Sequence, residues 1–350
     1  MGERTTSGES TENDYFYIEL LRAVAAFAVV VIHTLGPYRH WIGQIPDYDW
    51  LSAISLNVGS RWAVPVFIMI TGALMLPDKR RFNLHYYFSR RVSKVLIPFL
   101  VWSVIYAFLA GVVWSSHGVR FDLFITLRVL DGLPYEETWE HLGFYYYFIP
   151  LYLVIPFLTP WVQQLSDDQL RMLVLAWMVL TLFYLLQIQS HWMIGTVMYG
   201  GYLPLGYALT RMPLEKQQRI GVYSGALFAV AAGVYGIWEI SSAAGNYAPG
   251  LYTSYKTLNT VIVAMAVFVL CFQCAEKIQG RCRKVIRFVG QHSLGLYLIH
   301  PLVLWPVQNL GFFPGFTLIS IPLMAMAVTA VTLFIVWWLR LSRATAWMVP

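Results

Sequence analysis

The sequence predicts an all-α integral membrane protein of about ten transmembrane helices, with both termini in the cytoplasm. Of its 350 residues, 58% are hydrophobic and 12% are charged, whereas a soluble domain carries about 25% charged residues. Apolar segments of about 20 residues, the length that crosses the hydrocarbon core, recur along the chain. The basic residues fall mainly in alternate connections, as they do where cytoplasmic loops are positive.

The apolar segments define the spans in chain order, at about 16–36, 54–76, 95–115, 143–163, 169–188, 193–210, 220–240, 255–275, 290–310 and 317–339. Glycine or proline interrupts two of them, in MYGGYLPLGYAL and GQHSLGLYLIHPLVLWPVQ, so these two are expected to be kinked or partly re-entrant. Residues 1–14 are polar and predict a disordered cytoplasmic N-terminus that lacks the features of a signal peptide. Residues 15–341 are expected to form one membrane domain, and residues 342–350 a short cytoplasmic tail.

The positive charges orient these spans. A cytoplasmic N-terminus leaves few basic residues outside, namely Arg39, Arg61, Arg120, Arg128 and Lys256. The inner connections and C-terminal end hold Lys79, Arg80, Arg81, Arg90, Arg91, Lys94, Arg171, Arg211, Lys216, Arg219, Lys277, Arg281, Arg283, Lys284, Arg287, Arg340 and Arg343. The net charge of +6 therefore reflects topology and attraction to anionic membrane lipid, and gives little reason to expect a nucleic-acid partner.

Familiar cofactor motifs are missing from the sequence. The three cysteines, Cys271, Cys274 and Cys282, have neither a second pair nor a suitably spaced histidine, so reduced thiols are predicted rather than a metal site. The sequence contains no Walker A loop, Rossmann glycine fingerprint or HExxH helix.

The first apolar run, IELLRAVAAFAVVVIHTL, contains Arg22 and His33. At about 100° per residue both side chains lie on one helix face, about 16 Å apart along the axis. Charged groups within a membrane helix are costly and usually face a protein interior or a water-filled cavity, so the pair indicates a site. The alternative is that Arg22 extends to a lipid headgroup and His33 packs against a neighbouring helix.

Five segments together resemble the membrane acyltransferase type 3 family, whose signature is an arginine and a histidine separated by ten residues in the first helix. They follow the order of that family: IELLRAVAAFAVVVIH, SRWAVPVFIMITGALM, FSRRVSKVLIPF, HLGFYYYFIPLYLVIPFL and QHSLGLYLIHPLVL. Among its members the pattern is most similar to stand-alone O-acetyltransferases of surface polysaccharides, such as the one acting on enterobacterial common antigen.

The resemblance implies an O-acyltransferase of the inner (cytoplasmic) membrane. Such an enzyme moves an acetyl group from cytoplasmic acyl-CoA, here acetyl-CoA, to a hydroxyl of an extracytoplasmic or lipid-linked polysaccharide sugar. It implies that His33 is the general base, since histidine titrates closest to neutral pH. Arg22 then contacts the CoA arm or pairs with Glu19, which stands where the family often has aspartate. The i to i+3 spacing of Glu19 and Arg22 also fits a purely structural ion pair.

The donor phosphates call for cations on the cytoplasmic side, and Arg90, Arg91 and Lys94 at the start of the third span match the position of the family's RxxR motif. Lys94 replaces the second arginine, which keeps the charge but loses the bidentate fork. The alternative is ordinary positive charge of a cytoplasmic loop.

Four residues near the predicted outer side are candidates for binding the acceptor. Arg61 polarises the thioester carbonyl or holds an anionic acceptor, or else it anchors the helix at the interface. His141 precedes an aromatic run in which Tyr146 and its neighbours either stack on sugar rings or form an interface belt. His300 faces the same cavity as His33 or is a packing residue. The roles of His292, Glu239 and Lys256 stay open.

Two other classes of protein compete with the enzyme. Ten spans with broken helices and intramembrane charge also suit a transporter or polysaccharide-export protein, although a continuous polar lining and repeated halves are not found. A third interpretation is an inactive sensory or scaffold relative of the family. It is consistent with Glu19 and Lys94, which replace the aspartate and the arginine that the family usually has.

Overall fold

The computed structural model describes residues 15–115, 118–188, 191 and 193–350, so the predicted disordered N-terminus at 1–14 lies outside the described residues. The described chain is mostly helical and has almost no sheet, which confirms the predicted all-α membrane class. A π-helical turn at Phe88–Val92 joins the helix Leu84–Tyr87 to the helix Ser93–Ala110. The elements are α1 Phe16–Thr34, α2 Asp47–Ser60, α3 Ala63–Met75, α4 Leu84–Tyr87, α5 Ser93–Ala110, β1 Val112–Ser115, β2 Gly118–Phe121, α6 Leu123–Gly132, α7 Tyr145–Gln164, α8 Asp167–Leu185, α9 Gly195–Gly200, α10 Tyr202–Arg211, α11 Lys216–Ala244, α12 Leu258–Cys274, α13 Gly280–Gln291, α14 Ser293–Asn309 and α15 Thr317–Leu341.

Within the described ranges, eight helical segments are long and apolar enough to cross a membrane. They are Phe16–Thr34, Asp47–Met75, Leu84–Ala110, Glu140–Gln164, Asp167–Leu185, Lys216–Ala244, Leu258–Lys277 and Thr317–Leu341. The other two predicted spans correspond to the pair α9 and α10, which is broken at Gly201, and to α14, which contains Pro301 and Pro306. These are the two spans expected to be interrupted. The count of ten and the position of both termini stay predictions.

Helix α1 occupies the middle of the bundle. It contacts α2, α3, α12, α13, α14 and α15, and side chains on all its faces, such as Leu21, Ala25 and Val30, are fully buried. Helix α11, by contrast, exposes apolar side chains such as Leu227 and Phe228, as expected of a helix that faces lipid. Because α1 is surrounded by protein, polar groups on it face the protein interior rather than hydrocarbon.

Two glycines bring α3 and α10 into backbone contact. A Cβ atom added at Gly72 would lie 2.0 Å from the carbonyl oxygen of Leu203, and one added at Gly206 would lie 2.1 Å from the carbonyl oxygen of Met69. Small residues allow this approach in membrane bundles, where helix association depends on close packing. The contact fixes the broken pair α9 and α10 against α3.

The connection between α5 and α7 contains secondary structure of its own. Strands β1 and β2 pair antiparallel, with Val112 opposite Phe121, and α6 follows, capped by Asp122, whose side chain accepts hydrogen bonds from the backbone of Phe124 and Ile125. Tyr146 anchors this connection, since its hydroxyl contacts the carbonyl oxygens of Leu133 at 2.5 Å and Glu136 at 2.8 Å.

Candidate functional site

The end of α1 that carries Arg22 opens into a cationic cavity of about 350 Å³, here called the arginine cavity. The structure brings together here the cations that were predicted to bind the acyl donor, because the lining includes Arg22, Arg90, Arg91 and Lys94. Further walls come from Phe67, Ile70, Thr71, Val95, Phe144, Tyr145, Phe148, Tyr152, Gly290, Gln291, Ser293, Leu294, Tyr297 and Pro350. Four cations around one space suit a ligand that carries several negative charges.

Glu19 lies at the same end of α1. One of its carboxylate oxygens is 3.5 Å from a guanidinium nitrogen of Arg22, which is the predicted ion pair. The other oxygen, Oε2, is buried and has no hydrogen-bond partner among the described residues. A carboxylate with an unpaired buried oxygen leaves room for a further donor or a water molecule.

A second basic cavity, the loop cavity, adjoins the first and shares Arg91 with it. It measures about 460 Å³ and is lined also by Lys79, Arg80 and Arg81. Gln163 fixes the loop above it by donating to the carbonyl oxygens of Leu76 at 2.8 Å and Asp78 at 3.0 Å. The hydrogen bond from the Arg80 guanidinium lowers the pKa of the Asp78 carboxyl, so that carboxyl stays ionised and paired.

The opposite end of α1 opens into the histidine cavity, of about 260 Å³. Three of the candidate residues predicted from the sequence, His33, Arg61 and His141, line it, whereas His300 is not among the lining residues. Its other walls are Val29, Ile32, Arg39, Val64, Glu140, Gly143, Phe144, Tyr147, Tyr199, Tyr255 and Tyr297. His33 also lines a neighbouring cavity of about 580 Å³ between Trp139, Trp305 and Gln308, so this residue borders two cavities.

Three imidazole rings meet beside this cavity. The ring centroids of His33 and His300 are 5.1 Å apart, those of His141 and His300 are 5.5 Å apart, and those of His33 and His141 are 6.3 Å apart. His300 is fully buried and His141 is 3% exposed. Neither ring nitrogen of His141, and not Nε2 of His300, has a hydrogen-bond partner within the described chain. Buried polar atoms are usually paired, so these ring nitrogens are open to a hydrogen bond with a ligand or a water molecule.

Arg61 lies at the break between α2 and α3, where the helical backbone turns before Ala63. Its Nη1 donates to the hydroxyl of Tyr255 at 3.4 Å, and its guanidinium carbon lies 5.8 Å from the centroid of that ring. Its Nε is buried without an acceptor in the part of the chain described. The guanidinium therefore retains donors for a ligand in the histidine cavity.

Phe144 and Tyr297 separate the arginine cavity from the histidine cavity, because both line each of them. Their ring centroids are 6.2 Å apart. Tyr297 is buried and its hydroxyl donates to the carbonyl oxygen of His141. These two rings form a septum, and a ligand that reached from one cavity to the other would pass them.

The structure does not bring Tyr146 to either cavity, because its hydroxyl is engaged with the connection before α7. The neighbouring Tyr147 takes the place instead: it stacks on Tyr199 with ring centroids 4.4 Å apart, and both rings line the histidine cavity. Sequence reasoning missed Tyr199, Tyr255, Tyr297 and Arg39 as lining residues. Tyr297 alone carried a signal, since it precedes His300 by three positions on one helix face.

The remaining candidates lie elsewhere. Lys256 has its Nζ 4.8 Å from the centroid of Tyr184, and Glu239 is exposed on α11. His292 is bonded through Nδ1 to the carbonyl oxygen of Phe288 at 2.7 Å. The three cysteines are free, and the residues that the structure describes contain no group of three or more His, Cys, Asp and Glu side chains placed to hold a metal ion.

Comparison with known protein families gives one match. Residues 15–341 fit the family model described as an acyltransferase domain. Searches among curated proteins and solved structures found no match.

Proposed function

The chain belongs to the membrane acyltransferase type 3 family, and from that premise we propose that it is an O-acetyltransferase of the inner (cytoplasmic) membrane. The protein is a multi-pass membrane acyltransferase. The proposed donor is acetyl-CoA, and the proposed acceptor is a hydroxyl of an extracytoplasmic or lipid-linked polysaccharide sugar. Anionic lipid of the surrounding membrane is a further proposed partner. The proposed reaction requires no metal.

The arginine cavity and the loop cavity support acyl-CoA as the donor. Arg91 lines both, so the two cationic cavities are adjacent. Coenzyme A carries several phosphate oxygens at one end and a thioester on a long arm at the other. Arginine binds phosphate oxygens through its bidentate fork, and lysine does so as a point charge. In this arrangement the phosphates bind the cations, and the arm extends past Arg22 toward the septum.

The aromatic and charged lining of the histidine cavity supports a sugar as the acceptor. The stacked rings of Tyr147 and Tyr199 contribute aromatic surface suited to the apolar side of a sugar, and Glu140 offers a carboxylate to its hydroxyls. Arg39 and Arg61 add cationic donors. Arg61 also lies where it would stabilise an oxyanion that forms on a thioester carbonyl in the same cavity.

His33 is the proposed general base. The oxygen of the sugar hydroxyl attacks the carbonyl carbon of the thioester, a C–O bond forms and the C–S bond breaks. His33 takes the hydroxyl proton and returns it to the departing thiolate sulfur. The products are an acetyl ester and coenzyme A with a free thiol.

The observation that carries this proposal is the position of His33. It lines a cavity that shares the septum of Phe144 and Tyr297 with the cationic cavity, which supports a role for its imidazole between the proposed donor and the proposed acceptor. The test uses proteoliposomes that contain the full chain, acetyl-labelled CoA and a panel of polysaccharide acceptors. We expect His33→Ala to abolish label transfer and to leave CoA binding within about twofold, since the phosphates bind elsewhere.

His85→Ala is the matched control, because His85 is exposed on α4 and lines none of the cavities described above. Its transfer rate is expected to equal that of the wild type. Undiminished transfer by His33→Ala would reject His33 as the base. A wild-type protein that does not bind CoA would reject the donor.

A further inference from the structure

His300 has a tautomer that its own helix fixes. Its Nδ1 lies 3.1 Å from the carbonyl oxygen of Leu296, one helical turn earlier. A carbonyl oxygen only accepts hydrogen bonds, so Nδ1 carries the hydrogen when the ring is neutral. The other nitrogen, Nε2, then holds an unshared electron pair. That atom is buried and has no hydrogen-bond partner among the described residues.

The ring of His300 stands within reach of the His33 ring. A hydrogen bond of about 2.9 Å between two ring nitrogens places the two ring centres about 5 Å apart. The observed separation of 5.1 Å between His33 and His300 matches this value, whereas the 6.3 Å between His33 and His141 exceeds it. Of the two neighbouring imidazoles, His300 is therefore the nearer to His33. The two rings are tilted by 50° and Nε2 of His300 has no partner in the described chain, so a turn of the rings is needed to bring a nitrogen of each into line.

We propose that His300 is a positioning residue for His33. In this role, which rests on the proposed acyl transfer, Nε2 of His300 accepts a hydrogen bond from an N–H of His33. The opposite nitrogen of His33 is then the unprotonated one, and it faces the reacting hydroxyl. An orienting acceptor of this kind holds a catalytic imidazole in the productive tautomer and stabilises its cationic form.

The proton balance leaves His300 unchanged. The hydroxyl proton moves to the free nitrogen of His33, which becomes an imidazolium, and it leaves from the same nitrogen to the thiolate sulfur. The His33 hydrogen that points at His300 stays on His33 throughout. A hydrogen bond to a charged donor is stronger than one to a neutral donor, so the contact strengthens as His33 takes the proton.

Two substitutions separate this role from packing. His300→Gln keeps a side-chain oxygen able to accept a hydrogen bond, whereas His300→Leu fills similar space without an acceptor. We expect His300→Leu to lower kcat about 10- to 100-fold with the KM for acetyl-CoA nearly unchanged, and His300→Gln to recover most of that loss. Leu and Gln variants that lose activity equally, or a Leu variant with wild-type kcat, would overturn the proposal.

The chain supplies a matched control in His292. That residue makes the same contact through Nδ1 to the carbonyl oxygen four positions earlier, but it lies at the start of α14, outside the imidazole cluster. His292→Gln is therefore expected to retain the wild-type kcat. If it loses activity as His300→Leu does, the effect comes from the helix and the proposal fails.

A readout independent of turnover separates this proposal from the proposed function. Diethyl pyrocarbonate acylates unprotonated imidazole nitrogens, and the modified residue is identified by peptide mass spectrometry. We expect modification at His33 to slow several-fold in His300→Leu and to stay at the wild-type rate in His292→Gln. An unchanged rate in folded His300→Leu overturns the positioning role. Failure of acyl transfer in the wild type, with the modification effect intact, rejects the proposed function instead.

Discussion

Tyr297 donates its hydroxyl hydrogen bond to the backbone carbonyl of His141, and this contact joins α14 to the segment that precedes α7. The two residues belong to different parts of the sequence, yet both line the histidine cavity. The hydrogen bond holds the Tyr297 ring across the boundary between that cavity and the arginine cavity. Phe144, three residues after His141, is the second ring of the septum.

The first prediction concerns acyl chain length and follows from the septum. Phe144→Ala removes a ring that lines both cavities, so it enlarges the space in which the acyl group must lie. Burial of each methylene contributes about 0.8 kcal/mol, and butyryl has two more methylenes than acetyl. We therefore expect the ratio of butyryl to acetyl transfer to rise about tenfold, measured as kcat/KM with each acyl-CoA.

Phe157→Ala is the control for that measurement. Phe157 lies on α7, the helix that starts one residue after Phe144, and its side chain is 82% exposed. Loss of its ring therefore changes neither cavity. Its ratio of butyryl to acetyl transfer is expected to match the wild type. An unchanged ratio in Phe144→Ala would show that this ring does not limit the acyl group.

The second prediction tests the donor cations. The double change of Arg91 and Lys94 to alanine removes two of the charges around the arginine cavity. We expect the Kd for CoA to rise about 10- to 100-fold, because the charge-assisted hydrogen bond of Arg91 contributes about 1.5–3 kcal/mol and the exposed Lys94 contributes much less. Isothermal titration of the detergent-solubilised protein with CoA measures the effect.

A matched double variant removes the same charge elsewhere. Lys277 and Arg343 are both exposed and line none of the described cavities, so their joint change to alanine is expected to leave CoA affinity within about twofold. Equal weakening by the two double variants would point to a general effect of net charge. An unchanged Kd for CoA in the Arg91 and Lys94 double variant would show that these two residues serve only to orient the protein in the membrane.

The sequence predicts the fold well wherever hydropathy carries the information. The long apolar runs predict α1, α5, α7, α8, α11, α12 and α15, and the glycines and prolines predict the two interrupted spans. The β1–β2 hairpin was not predicted, because its short strands lie in a connection with no strong alternation. The approach of Gly72 and Gly206 was not predicted either, since it depends on which two helices become neighbours.

The candidate site was predictable in part for the same reason. Helical spacing places Arg22 and His33 on one face of α1, and the central position of α1 directs that face to protein. The septum needs Phe144 and Tyr297 to converge from different helices, which no local pattern reports. Tyr146 illustrates the converse: the aromatic run marked the right segment, but the pitch of α7 places Tyr147, and not Tyr146, at the cavity.

The third prediction concerns the packing of α3 against α10. In Gly206→Ala the new methyl group would lie 2.1 Å from the carbonyl oxygen of Met69, so the two helices must separate. Overpacking of this kind costs about 1–3 kcal/mol, and we expect a fall of several degrees in the unfolding temperature in detergent. Gly221→Ala is the control, because a methyl group there meets no other atom within 4 Å and alanine favours a helix. A fall equal in both variants would contradict the packing role.

The last prediction concerns the ion pair of Glu19 and Arg22 on α1. Substitution of the two residues is expected to change the Kd for CoA in different directions. Arg22 lines the arginine cavity, so Arg22→Ala is expected to raise the Kd for CoA about tenfold. Glu19 lies 3.5 Å from Arg22, so under the proposed function it would compete with the bound CoA for the Arg22 guanidinium. Glu19→Gln keeps the size of the side chain and removes the charge, so we expect CoA to bind as tightly as in the wild type or more tightly.

The pair Asp168 and Arg171 provides the control for this sign test, because it has the same i to i+3 spacing, an N–O distance of 3.3 Å and an exposed position on α8. Asp168→Asn removes an equal charge and is expected to leave the Kd for CoA unchanged, which excludes a general effect of net charge. If Glu19→Gln weakens CoA binding as much as Arg22→Ala does, then Glu19 orients the guanidinium for the donor. The pair would in that case act as one binding unit, as a carboxylate that fixes an arginine rotamer does.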